Sequence, residues 1–247
     1  MQKNIIITKS INSFKRQCEQ KRFEIIKGLV KDGDKILDVG CGVGTYTSIP
    51  LSDLPVDITA IDSDSKTIEY ANEKNKQKNL TFIVGKGENY KSKEPFDLII
   101  CSHILEHVIY KTQFIYNMEQ LLKNDGILYL AIPNGFGWFE VQNFIPRMLS
   151  KTKLGERFIN RLMQGSVKDT INRDSWHVNF FTEKRIKRLL NRCGWKIKEQ
   201  YSDEFLGGIV LDRILSKFPR LAKWNTDIAD KLPIWLTNGW VFVCEKK

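Results

Sequence analysis

The chain holds three histidines, His103, His107 and His177, and two of them stand in one stretch, His103-Ile104-Leu105-Glu106-His107. These residue types at this spacing could do three kinds of chemistry. H-x-x-E-H is the zinc-ligand pattern of one class of proteases. On a helix, His103 and His107 would share a face, and with Glu106 they could hold zinc or a similar divalent ion. Alternatively, His103 or His107 could act as a general base, because histidine titrates near neutrality. His177, in Trp176-His177-Val178-Asn179-Phe180-Phe181, is a third candidate base or a structural tether. The plain alternative makes Glu106 a helix-start residue, suited to the positive helix end, and His107 a bonded structural group.

A second cluster is more specific. Asp38-Val39-Gly40-Cys41-Gly42-Val43-Gly44 places three glycines at alternate positions behind an aspartate. Such glycines remove side chains where a ligand must approach the backbone. A helix expected from about Thr45 would add free N–H groups at its start. The spacing is not the dinucleotide fingerprint G-x-G-x-x-G: the third glycine comes one residue early, and an acid precedes the first. That aspartate would repel a pyrophosphate and attract an ammonium, so a ligand carrying both an amine and a carboxylate fits better. Asp62 ends Thr59-Ala60-Ile61-Asp62, about where a strand-end carboxylate accepts both hydroxyls of a ribose. An amino acid and a ribose in one cleft point to S-adenosylmethionine.

Only a parallel sheet brings these residues together. Strands are expected at Lys35–Val39, Val56–Ile61, Leu80–Val84, Phe96–Cys101, Ile127–Ile132, Trp195–Tyr201 and Gly239–Glu245. Helical stretches alternate with them: one or two over Ser10–Lys31, then Ser65–Lys78, Ile104–Leu122 and Thr182–Cys193. Asn124-Asp125-Gly126 reads as a turn, Thr182 as an N-cap and Gly194 as a helix stop. Alternation of this kind implies a parallel sheet covered on both faces, with ligands beyond the carboxyl ends of its strands. Two stretches break the rhythm, at about 135–176 and 205–236. Both carry aromatic residues interleaved with arginines, and together they could form a helical lid.

Composition sets the outer bounds. The chain has 247 residues, 42% hydrophobic and 28% charged, enough for a sizeable core. Five scattered cysteines form no C-x-x-C pair, which argues against a zinc knuckle or a disulfide framework and suits a reducing compartment. The N-terminal apolar run is too short for a signal-peptide core, and no stretch approaches the roughly 20 apolar residues of a membrane span. A soluble, cytoplasmic protein is expected. A net charge of +10 permits contact with phosphates, nucleic acid or anionic lipid but is equally the mark of a solvated lysine-rich surface.

The motifs in order resemble the class I S-adenosylmethionine-dependent methyltransferases, in their small-molecule branch and near the quinone-biosynthesis O-methyltransferases. Lys35-Ile36-Leu37-Asp38-Val39-Gly40-Cys41-Gly42-Val43-Gly44 resembles that family's first motif, Ala60-Ile61-Asp62-Ser63-Asp64 its ribose motif, and Phe82 to Asn89 its adenine loop. Phe96 to Val108, Leu121 to Asn134 and His177 to Trp195 resemble its later segments. The resemblance implies an α/β fold: a Rossmann-like, seven-stranded, mostly parallel sheet, helices on both faces, the last strand antiparallel, and helical lid insertions. It divides the chain into an N-terminal helical segment, 1–34, and a methyltransferase domain, 35–247. It implies that Asp38, Gly40, Cys41, Gly42 and Gly44 border the methionine part of the cofactor, that Asp62 and Ser63 take the ribose, that Gly87 and Glu88 lie by the adenine, and that Ser102 closes the site. Lys86 stands where family members often carry an acid, and a lysine cannot accept the adenine amine. Some quinone-pathway relatives carry E-x-x-E-H at the His103 stretch and bind a divalent cation there; here His103 replaces the first glutamate, and no metal site is assigned.

The implied reaction is methyl transfer by in-line displacement to a small-molecule acceptor, free or linked to a glycan or lipid, with S-adenosylhomocysteine as product and His103, His107 and His177 as catalytic candidates. Alignment and exclusion of water carry most of such a reaction. The rivals are an RNA methyltransferase and a non-catalytic S-adenosylmethionine-binding protein. Net charge favours the first, but no appended RNA-binding module is visible, and Cys101-Ser102-His103-Ile104-Leu105 is not the Asn-Pro-Pro-aromatic run of amino-directed base methylases. A peripheral membrane contact through a basic amphipathic helix, and a monomer or homodimer, complete the expectations.

Overall fold

The computed structural model of the chain describes residues 17–137, 178–207, 211, 215 and 217–247. His177 and most of the first expected insertion lie outside the described residues. Seven strands form one sheet: β1 (Lys35–Val39), β2 (Asp57–Asp62), β3 (Leu80–Val84), β4 (Phe96–Ser102), β5 (Leu122–Pro133), β6 (Trp195–Ser202) and β7 (Gly239–Lys246). Their order is β3-β2-β1-β4-β5-β7-β6. Strands β1 to β5 pair in parallel, and β7 runs antiparallel to both β5 and β6. The strand order reverses between β1 and β4, which opens a crevice at their carboxyl ends.

The helices are α1 (Gln17–Leu29), α2 (Ser48–Leu51), α3 (Ser65–Lys74), α4 (Lys111–Leu121), α5 (Glu183–Arg192) and α6 (Pro219–Ala229). They cover both faces because the strands are apolar on both. Leu37 and Val39 of β1 face Phe114 and Met118 of α4 and Ile186 and Leu190 of α5. Ile36, Ile58 and Ile100 face Phe23 and Ile26 of α1 and Ile68 of α3. Asp38 shares the face of Ile36, so the pleat buries a carboxylate at the end of a core strand. Thr182 caps α5 by accepting from the Arg185 N–H at 3.3 Å, and Gly194 (φ 83°) ends the turn after it. No helix among the described residues is long and apolar enough to cross a membrane.

Four local expectations are corrected. The helix after the glycine loop begins at Ser48, not Thr45, and lasts one turn, Pro50 lying within it. Helix α3 ends at Lys74, where Asn75 turns extended and its side chain donates to the Leu80 carbonyl. The Asn124–Gly126 turn is a bulge within β5, with the pairing jumping from Phe96–Leu122 to Leu98–Ile127. Most consequentially, Ile104–Leu122 is not one helix. Leu105–His107 is a single 3₁₀ turn, Val108 is extended, and α4 starts only at Lys111.

The strap that breaks this helix is Val178-Asn179. Both backbone N–H groups donate to the Glu106 carbonyl, at 2.9 and 3.0 Å. The Asn179 amide donates to the carbonyls of Leu105 (3.2 Å) and Val108 (2.6 Å), while its oxygen accepts from Lys111 Nζ. Asn179→Ala leaves these carbonyls without that donor and should lower the unfolding free energy by about 1–3 kcal/mol, read as a fall in urea midpoint at unchanged slope.

Candidate active site

The glycine loop is pinned from below. Gly40 and Cys41 N–H groups donate to the Ile61 carbonyl, Gly44 N–H to Cys41, and Gly42 N–H to Asp62 Oδ2 at 2.9 Å. These amides are therefore already bonded, and the one-turn α2 provides no long helix start. A pyrophosphate cradle needs the opposite arrangement. Gly40 (φ 75°) could not be replaced: a Cβ there would stand 2.8 Å from Ile104 Cδ1. Gly42 (φ 54°) faces open space, with nothing within 4 Å of its Cβ position.

Asp62 stands at the end of β2 with its carboxylate fixed. Oδ2 takes the Gly42 N–H, and Oδ1 takes the Asp64 N–H at 3.0 Å. Each oxygen keeps a second lone pair for a ligand. Asp38, at the end of β1, accepts from the Ser48 hydroxyl and is 3% exposed. Burial, partly offset by that bond and reinforced by the charge of Asp62, pushes its carboxyl up to about 6. Burial and the same two carboxylates push the Cys41 thiol far up, so it is no nucleophile at neutral pH.

A cleft of about 450 Å³ opens above these residues. Of the residues expected to border a cofactor, Gly40, Asp62, Ser63, Gly87 and Glu88 line it, and so does His107. Asp38 in β1, Cys41, Gly42 and Gly44 in the glycine loop and Ser102 at the end of β4 are not among the residues that line it. Lys86 lines the wall as well. Sequence reasoning missed the far wall, Ile109, Tyr110, Gln113 and Phe114. Ile109 and Tyr110 are 71% and 67% exposed, because the helix they were assigned to is broken there. The loop from Gly87 to Tyr90 is held by Asn117, whose amide donates to the carbonyls of Gly87 and Tyr90. A donor set of this kind, fixed carboxylates with the amides spent, fits a ligand carrying hydroxyls and positive charge.

His103 belongs to a neighbouring group. It is the non-glycine residue with positive φ among the described residues, at 54°, which costs about 1–2 kcal/mol for an ordinary side chain. It is not among the residues that line the cleft, whereas His107 is. Nδ1 lies 3.3 Å from Glu106 Oε1, and Nε2 lies 2.9 Å from Arg22 Nη1. The same Arg22 nitrogen donates to Asp203 Oδ2 at 2.5 Å. Burial works against the charge of Glu106, but the hydrogen bond from His103 outweighs it and holds the carboxyl below its usual range. Arginine always donates, so His103 Nε2 must be the bare acceptor and Nδ1 must carry the proton toward Glu106. His103 and His107 thus part company instead of sharing a helix face. Among the described residues no group of three or more His, Cys, Asp or Glu is arranged to hold a metal ion.

Residues 14–200 match a protein family described as Methyltransferase domain. A ubiquinone biosynthesis O-methyltransferase of Pelagibacter ubique is 39% identical over 103 residues, covering 40% of this chain and 42% of that protein. One from Rickettsia canadensis is 29% identical over 180 residues, covering 72% of this chain and 66% of that protein. The chain therefore spans from about two fifths to just under two thirds of these curated relatives. Among solved structures, the TehB-like SAM-dependent methyltransferase of Corynebacterium glutamicum superposes with a TM-score of 0.57 at 16% identity, covering 92% of this chain and 87% of that one, a likeness of fold.

Proposed function

The chain belongs to the methyltransferase-domain family, whose methyl donor is S-adenosylmethionine, and on that premise we propose that it methylates a hydroxyl oxygen of a small, largely apolar acceptor. The observation that carries the cofactor half is the placement of Asp38 and Asp62 on either side of a glycine loop whose amides are already bonded. Asp62 accepts the ribose hydroxyls, Asp38 faces the ammonium, and Gly87 and Glu88 flank the adenine. Gly40, Cys41, Gly42 and Gly44 form the floor, with Ser63 and Ser102 at its edges. The bound sulfonium supplies an electrophilic methyl group and leaves as a neutral thioether.

The acceptor half rests on the curated relatives, named O-methyltransferases, and on the Glu106–His103 pair at the end of β4. A hydroxyl nucleophile must lose a proton, and His103 Nε2 is the basic atom held ready for it. His107 lines the cofactor side. The exposed side chains of Ile109, Tyr110 and Phe136 give the acceptor an apolar approach.

Calorimetric titration with S-adenosylhomocysteine tests the first half, and methyl incorporation into 4-tert-butylcatechol and a prenylated catechol tests the second. Absence of any heat with S-adenosylhomocysteine overturns the site; binding with no turnover of either catechol overturns the acceptor.

Asp38 adds a pH signature. With its carboxyl raised to about 6, the protonated form is favoured in the folded protein, so the stability it contributes is full below about pH 4 and is lost as pH rises through about 6. An ammonium beside it favours the ionised form instead. Affinity for S-adenosylhomocysteine should therefore rise about tenfold between about pH 5 and pH 7, with proton release on binding near pH 6. Asp38→Asn should flatten that rise, read by titration in buffers of different ionisation enthalpy.

A further inference from the structure

Beside the cofactor cleft lies a polar group, largely buried except for the partly exposed His103, that the reading above leaves under-bonded. It joins three elements remote in sequence: Arg22 of α1, His103 and Glu106 after β4, and Asp203 after β6. Arg22 Nη1 divides its two hydrogens between His103 Nε2 at 2.9 Å and Asp203 Oδ2 at 2.5 Å. Asp203 is 6% exposed, yet its Oδ1 is buried with no hydrogen-bond partner among the described residues. The same is true of Glu106 Oε2 and of the Tyr129 hydroxyl, which lies close enough to feel the charges of both Arg22 and Asp203. A buried carboxylate oxygen left unbonded is costly, and a one-point bond from a guanidinium to a carboxylate falls short of the two-point pairing that arginine favours. Asp203 therefore offers Arg22 a fuller seat than the one-point bond it makes there, and the lone pair of His103 competes for the same guanidinium nitrogen.

Resting on the hydroxyl-acceptor reading, we propose that Arg22 is a positioning residue for methyl transfer: it holds His103 with Nε2 bare, and it passes wholly to Asp203, Oδ1 included, when an acceptor hydroxyl takes its place on Nε2. The proton then has a defined course. As the acceptor oxygen bonds the methyl carbon, the carbon–sulfur bond breaks with its electron pair kept by sulfur, and the hydroxyl proton goes to His103 Nε2. The imidazolium so formed lies between two carboxylates, Glu106 at Nδ1 and Asp203 Oδ2 at 3.9 Å from Nε2. In this scheme Arg22 occupies the Nε2 lone pair before the acceptor arrives, and its retreat moves a positive charge away from the imidazolium.

The test reads the tautomer of His103 directly, by long-range ¹H–¹⁵N correlation at about pH 8, with the signal assigned from its loss in His103→Asn. The wild-type protein should show Nδ1 protonated and Nε2 bare. Arg22→Gln should put a proton on Nε2, drawn by Asp203, and Arg22→Gln with Asp203→Asn should return the wild-type pattern. A residue that merely pinned α1 to the sheet would leave the tautomer unmoved. With 4-tert-butylcatechol, Arg22→Gln should lower kcat by about 10²-fold while the affinity for S-adenosylhomocysteine holds. A proton on Nε2 in the wild-type protein overturns the proposal, and that measurement stands even where Arg22→Gln fails to fold. Wild-type turnover of the catechol with Arg22→Gln unchanged in kcat and in tautomer overturns it too. No turnover by the wild-type protein strikes instead at the acceptor reading.

Discussion

Asp62→Ala should keep its fold and lose about 100-fold of its affinity for S-adenosylhomocysteine, measured by calorimetry. Two hydrogen bonds from ribose hydroxyls to a charged acceptor are at stake, together worth about 3 kcal/mol at the low end of the range for such bonds, which is a factor of somewhat over 100. Asp62 also accepts from the Gly42 and Asp64 amides, so its removal loosens the loop from beneath. Asp62→Asn separates the two contributions. Its amide group can accept on one side only, so one backbone N–H is released and one ribose hydroxyl loses its acceptor. A loss intermediate between wild type and Asp62→Ala assigns the effect to the carboxylate's own bonds. Asp62→Ala with unchanged affinity would place the nucleoside elsewhere and remove the basis of the whole site.

The elements of the proposed cofactor site were legible because their signal is local. A continuous apolar run ending in an acid, then glycines at alternate positions, fixes a strand, its face and a turn within ten residues, and β1 with Asp38 and Gly40 is where that pattern puts it. The apolar run of β7 was legible in the same way, but its antiparallel course was implied only by the resemblance to the family. What was not legible depends on partners far away in the chain. The His103 stretch has good helical spacing by itself. It becomes one 3₁₀ turn because Val178 and Asn179, more than 70 residues later, take up its carbonyls. Propensity lost there to tertiary hydrogen bonds. Arg22 and Asp203 carried no signal at all. One is a cation on a polar helix, the other an acid at a strand end, and they stand 181 residues apart. A charge becomes informative only when its burial is known, and burial at the meeting of α1, β4 and β6 is a property of topology.

The base reading makes its sharpest claim at His103. His103→Asn should lower kcat toward a catechol by about 10²–10⁴-fold, with kcat/KM falling in step and the affinity for S-adenosylhomocysteine unchanged. Asparagine is the right replacement because it tolerates a positive φ better than alanine and can still donate to Glu106, so the turn survives while the basic nitrogen is lost. His107→Asn is the contrast: His107 lines the cofactor cleft, so its loss should weaken cofactor binding first. A mere packing defect at His103 would slow every acceptor alike. A missing base would not, because its contribution grows with the difficulty of removing the proton. The ratio of wild-type to His103→Asn rates should therefore be smaller for 4-nitrocatechol, whose hydroxyls ionise readily, than for 4-tert-butylcatechol, whose hydroxyls hold their protons. Equal ratios for the two acceptors would leave His103 with a structural part only, and the proton would have to leave by another route.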